Sequence, residues 1–285
     1  AFFELLADIR SVSSSMIMQL DSTRNKAFEV LGTTLMKRML RKKGLLDDSF
    51  IIPVDLHQEL FRDMDADSFE RADDLLVDFH TEKREIVFTV IEIKCRQNLS
   101  DDELAALQEK MQHQIENTIL ALRKRFDIDY KIPDRLDREL MTLELQSLLT
   151  FYARRAARYN YLHEETAKDY ERFILSLNQG NFTIRFKKLG LIYQFKSVDY
   201  QRKDYLNDTL FYILGKPMIE RILDRDMSVK TTDIAQLTAD EDFKTAFETS
   251  DRLLREESFK IDHAGEEASV QDQDSNAELV DQPIE

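Results

Sequence analysis

Two neighbouring apolar runs, one headed by an acid and the other ending in Glu-x-Lys, do most to restrict the folds open to this chain. The first is Asp74-Leu-Leu-Val-Asp-Phe79 and the second is Ile86-Val-Phe-Thr-Val-Ile-Glu92-Ile-Lys94-Cys-Arg96. Both are rich in β-branched and aromatic residues, as strands are. The polar segment His80–Glu85 between them reads as a turn, so 74–79 and 86–95 form a hairpin. Side chains of a strand alternate faces, which points Glu92 and Lys94 the same way. Charges on so apolar a strand are costly unless they have partners or a task. A carboxylate pair holding a divalent metal, with a lysine beside the reacting oxygen, is such a task.

Around this hairpin the pattern is mixed α and β. Residues 24–43 read as an amphipathic helix with a stripe of Phe28, Leu31, Leu35 and Met39, closed by Gly44 as C-cap. Phe50-Ile-Ile-Pro-Val is a short strand, with Pro53 favouring an edge or an end. Residues 1–20 suggest a strand or hairpin, and 55–72 a polar connection. Ser100-Asp-Asp-Glu103 is a capping box opening a helix to about Phe126. Helices follow at 136–160 and 164–178. A hairpin is expected at 182–195, turning on Lys187-Lys-Leu-Gly190, and helices at about 202–214 and 217–225.

Of the chain's 285 residues, 42% are hydrophobic and 33% charged, as in a soluble globular protein. No apolar run approaches the roughly 18 residues of a membrane span, so no membrane partner is expected. The first residues lack an initiator Met and do not read as a signal peptide, which suggests a piece of a longer protein. The single cysteine, Cys95, excludes an internal disulfide and a Cys-rich zinc site, and a reducing cytoplasm is the simplest inference. The net charge of −15 argues against a nucleic-acid partner, but residues 238–285 hold 15 acids and 4 bases, leaving only −4 on the rest. Basic clusters include Arg38 to Lys43 (with Lys42), Arg123-Lys-Arg, Arg154-Arg155-Ala-Ala-Arg158 and Arg185-Phe-Lys-Lys. Each suits either phosphate contact or a solvated helix end.

Asp/Glu-x-Lys occurs three times, at 92–94, 129–131 and 242–244, but only the first ends an apolar strand preceded by an acid-led strand. That joint pattern resembles the PD-(D/E)xK nuclease superfamily, particularly its archaeal Holliday-junction resolvase and Mrr-like branches. It spans roughly residues 24–126, with Ala27-Phe-Glu29-Val-Leu-Gly32 supplying a first-helix glutamate. No Pro precedes the leading acid. Asp73 stands there instead and is itself a candidate; Asp74 is preferred because it adjoins the apolar strand.

The resemblance implies a restriction-endonuclease-like mixed sheet flanked by helices. It implies Mg²⁺ or Mn²⁺ held by Asp74, Glu92 and the backbone carbonyl of Ile93. Lys94 would position the attacking water or stabilise the transition state. Glu29 reads either as a further metal ligand, often through water, or as an exposed helix residue. In RecB-like nucleases a glutamine on the next helix lies near the site; Gln114 holds that place, or is a polar residue beside a buried seam. Arg96 suits a phosphate contact or a pair with Asp78, Cys95 suits the core, and His57 suits a loop more than a site. Lys42, Lys43, Arg123, Arg154 and Arg155 complete the DNA-contact candidates.

The element order is also similar to the nuclease-like region preceding the motor in HerA/FtsK-type ATPase proteins of bacterial defence, including phosphorothioation-dependent restriction proteins. That implies a possible ATPase domain or subunit as partner. Many nucleases of the superfamily are dimers, so a homo-oligomer is expected. The expected organisation is a nuclease-like core over 1–130, a mainly helical extension with a β-hairpin over 131–237, and an acidic helix with a disordered tail or linker over 238–285. The expected activity is metal-dependent endonucleolytic hydrolysis of DNA in phage defence or restriction. The alternatives are a non-catalytic DNA-sensing or assembly module, or a helical interaction protein that leaves Glu92 and Lys94 unexplained.

Overall fold

The apolar run ending in Glu92-Ile-Lys94 becomes the centre of the molecule. In the computed structural model, which describes residues 24–42, 44–62, 64, 69–126, 136–223 and 257–258, this run is β3 (Glu85–Arg96), buried along almost its whole length. On one side it pairs antiparallel with β2 (Asp74–His80), which pairs antiparallel with the edge strand β1 (Ser49–Pro53). On the other it runs parallel to β4 (Thr183–Gln194). Beyond β4 lie β6 (Thr209–Gly215), parallel to it, and β5 (Gln201–Leu206), antiparallel to β6. The path β1-β2-β3-β4-β6-β5 is therefore a mixed sheet, with the two-residue strand Glu257–Ser258 paired to Arg185 and Phe186 of β4.

Helices cover both faces. A parallel pair needs a crossover, and between β3 and β4 the chain forms α2 (Asp101–Phe126), α3 (Arg138–Arg158) and α4 (Glu164–Leu175). These pack on the face that carries Leu75, Val77, Phe88 and Val90. The opposite face, with Leu76, Ile91 and Ile93, is covered by α1 (Arg24–Lys42) and α5 (Lys216–Leu223). The α1 helix comes close because Gly32 lacks a Cβ: one placed there would sit 2.7 Å from Ile93 Cγ2. Gly32→Ala is expected to destabilise the protein by about 1–3 kcal/mol through overpacking, despite the roughly 1 kcal/mol by which Ala outranks Gly in a helix. It would show as a lower urea midpoint at unchanged slope; an unchanged or higher midpoint would mean that Ile93 yields freely.

Several local expectations hold. Gly44 closes α1 with a φ of 69°, Pro53 ends an edge strand, and Ser100 and Glu103 cap α2 reciprocally. Two need correction. Residues 183–194 are one strand rather than a hairpin. Lys188 stays in it by donating to Asp208 Oδ2 at 2.8 Å, and Gly190 makes room for a ring: a Cβ there would lie 2.2 Å from Phe211. Residues 202–214 are the β5–β6 hairpin rather than a helix, turning at Asn207-Asp208, where Asn207 takes a φ of 52°. β4, β5 and β6, within the stretch expected as a mainly helical extension, share one sheet with β1–β3. The expected strand or hairpin at 1–20 lies outside the described residues, as does the acidic region 238–285 apart from Glu257–Ser258. No described helix is long and apolar enough to cross a membrane.

Candidate active site

The last paired residues of the β2–β3 ladder at this end are Asp74 and Ile91. One step further, Asp73 continues the pairing with its side chain and backbone. Its N–H donates to Glu92 Oε2 at 3.1 Å, and its Oδ2 accepts from the Ile93 N–H at 2.7 Å. Its carbonyl accepts from Val54 N–H at 2.9 Å. Lys94 Nζ contacts Glu92 Oε1 and lies 3.9 Å from Asp73 Oδ2. Glu92 is fully buried, whereas the side chains of Asp73 and Lys94 keep 15% and 16% of their exposure, so the cluster meets solvent through those two.

Asp74 does not join this group. Its ladder partner is Ile91, so it shares the α1 face of the sheet, where Thr33 Oγ1 donates to its Oδ2 at 2.7 Å. Glu92 and Lys94 alternate with Ile91 and Ile93 and take the other face. The acid that the structure brings to Glu92 is Asp73, whereas Asp74, the acid preferred from the sequence, lies one residue of register away on the α1 face.

Glu29 is exposed on α1 and, with Phe28 and residues 93–97, lines a cavity of about 470 Å³ beside the cluster. Arg96 lines the same cavity, its guanidinium donating to the Cys95 carbonyl at 2.9 Å; Asp78 instead accepts from the Tyr170 hydroxyl at 3.2 Å. Cys95 packs in the α1-side core, where burial pushes its thiol up to about 12. Gln114 sits under the approach to Asp73, its Nε2 donating to the Arg71 carbonyl at 3.1 Å.

The other basic candidates do not gather here. Arg123 lies over the Phe186 ring, Arg154 pairs with Glu171, and Arg155 lies over Tyr159. Lys43 and the side chain of Lys42 are outside the described residues. His57 is a structural joint, held between Glu59 Oε1 at 2.7 Å and the Tyr152 hydroxyl at 2.8 Å.

A scan against protein-family models found no match, and searches of curated proteins and of solved structures found none either.

The electrostatics follow from crowding acids in a dry place. Burial, reinforced by the Asp73 charge, raises Glu92 well above the ordinary carboxylate range. Burial also raises Asp73, against the pull of Lys94 and of the Ile93 N–H. For Lys94, burial works downward, but the charges of Asp73 and Glu92 outweigh it and hold the ammonium above its usual value. Lys94 is therefore a fixed cation at neutral pH rather than a base. Among the described residues no three His, Cys, Asp or Glu side chains converge as a metal site.

The oxygens that could hold a metal are those of Asp73, Glu92 and the Ile93 carbonyl. The carbonyl lies on the Asp73 side, because a strand residue turns its N–H and C=O toward the same neighbour. Oxygen donors of this kind fit a hard divalent cation, whose charge would relieve the repulsion between the two carboxylates. Two helpers escaped the sequence reading, Asn117 and Thr118. Their signal was spacing: they lie three and four residues after Gln114, on one helix face.

Proposed function

We propose that this chain is a metal-dependent deoxyribonuclease, with Asp73, Glu92 and Lys94 as its acting residues. The meeting of these three side chains at one open end of β2 and β3 carries the proposal. The Asp-led strand beside the Glu-x-Lys strand, inside a helix-flanked mixed sheet, supports the PD-(D/E)xK resemblance.

Asp73, Glu92 and the Ile93 carbonyl would hold Mg²⁺ or Mn²⁺, with Glu29 at the rim. Such an ion, when bound, supplies an activated water and offsets charge growing on the phosphodiester. Lys94, kept protonated by its two acids, orients the water's oxygen and stabilises the developing phosphorane charge. Arg96, on the cavity wall, would hold a flanking phosphate. The resemblance sets this activity in phage defence or restriction in the cytoplasm, with an ATPase partner.

The test is cleavage of plasmid and branched DNA in Mg²⁺ or Mn²⁺ by the wild type beside Glu92→Ala and Lys94→Ala, with circular dichroism to check folding. Metal-dependent cleavage by the wild type, lost in both folded variants, is expected. A wild type that binds DNA in a salt-sensitive way yet cuts nothing would replace this proposal with a DNA-sensing module.

A further inference from the structure

We infer that Gln114, Asn117 and Thr118 form a positioning clamp that sets Asp73 against Glu92; this rests on the metal-nuclease proposal above. The three residues form one patch of α2 and hold three consecutive residues of the chain entering β2. Asn117 Nδ2 donates to the Glu70 carbonyl at 3.1 Å, Gln114 Nε2 donates to the Arg71 carbonyl at 3.1 Å, and Thr118 Oγ1 accepts from the Ala72 N–H at 2.8 Å. The same Thr118 hydroxyl donates to the Gln114 carbonyl at 2.9 Å, so its lone pair is turned toward Ala72. The next residue is Asp73.

This segment has no ladder of its own at Glu70–Ala72, since β2 begins at Asp74. Its backbone needs partners, and the helix supplies them from side chains. Arg71 is also fixed outward, its Nε donating to Asp55 Oδ1 at 3.0 Å and its guanidinium over the Phe61 ring. Asp73 thus enters the site from a chain held on one side by α2 and on the other by Glu92, Ile93 and Val54. A carboxylate shared between a metal and a backbone N–H tolerates little displacement, and groups that orient a ligand are commonly worth a large part of its affinity.

The test is Mn²⁺ binding to the whole chain by titration calorimetry, with melting temperature and DNA cleavage recorded alongside. Thr118→Val and Asn117→Ala are expected to weaken Mn²⁺ binding by about 10–100-fold, and Thr118→Ser to restore it to within about threefold of the wild type. Thr142→Val is the control, since the buried Thr142 hydroxyl donates to the Arg138 carbonyl within α3, away from the site. It should lower the melting temperature and leave Mn²⁺ affinity unchanged. If Thr118→Val fails to fold, Asn117→Ala carries the measurement, because its hydrogen bond is exposed. Wild-type Mn²⁺ affinity in every clamp variant, or an equal loss in Thr142→Val, overturns the clamp alone. A wild type that binds no Mn²⁺ overturns the metal site and the clamp with it.

Discussion

Asp73→Asn is expected to reduce metal-dependent cleavage by about 10³-fold or more, and Asp74→Asn, one residue away, to leave it within a few-fold of the wild type. A catalytic metal contributes several kcal/mol of charge stabilisation, and each ~1.4 kcal/mol is tenfold in rate. Asp73 is the acid within reach of Glu92, Lys94 and the Ile93 N–H, so neutralising it removes half of the carboxylate pair. Asp74 faces the opposite side of the sheet. An amide there still accepts from Thr33 through its oxygen and keeps the shape of the strand. Single-turnover cleavage of one plasmid substrate, with Mn²⁺ titration of each variant, reads both changes. Equal loss in the two variants would show that the strand as a whole, rather than the face, controls the site.

The second large effect is on stability, and Asp74 causes it. Burial raises its carboxyl to about 8, against the Thr33 hydrogen bond, with the Asp73 charge adding to the rise. Unfolded, it titrates near 3.9. Between those values the folded protein binds a proton that the unfolded chain has released. The stabilisation is therefore complete below about pH 4 and is lost as pH rises through about 8, at up to roughly 1.4 kcal/mol per pH unit. Urea midpoints at pH 5, 7 and 9 should fall in the wild type and fall less in Asp74→Asn, which has no proton to lose. The variant should be the more stable protein at pH 9. The residual slope belongs to Glu92 and Asp73, both shifted the same way. Parallel curves for wild type and variant would mean that Asp74 is ionised in the folded state.

The strands beside the site were legible because their periodicity is strong. Five buried residues in succession, Ile86 to Val90, all apolar but Thr89, admit few structures, and the charged turn at 81–84 fixed the hairpin. The choice between Asp73 and Asp74 was not legible for a reason intrinsic to sheets. A shift of one residue exchanges the two faces, and only cross-strand register decides which acid meets Glu92. Adjacency to the apolar run selected the acid that is more deeply buried, which is the one facing away.

The second half misled where residues imitate turns. Lys187-Lys188 and Gly190 look like a loop until Asp208 and the Phe211 ring explain them, and both partners lie about twenty residues on. At 202–214 the apolar spacing fits helix and strand alike, and Asn207-Asp208 was the local clue to the hairpin. Asn117 and Thr118 left only their spacing from Gln114 as a signal, because the backbone groups they bond carry no sequence signature.

The parallel pairing of β3 with β4 also has a consequence for how the molecule is made. The strand bearing Glu92 and Lys94 gains its second neighbour only from residues 183–194, so the centre of the sheet depends on contacts about a hundred residues apart in the chain. Contacts so distant are slow to form. On the ribosome, a chain made only as far as residue 130 would hold one edge of β3 unpaired and apolar, able to join another chain. Synthesis beyond residue 194 closes that edge. The strand that bears Glu92 and Lys94 is thus enclosed on both edges only after residues 183–194 have been made.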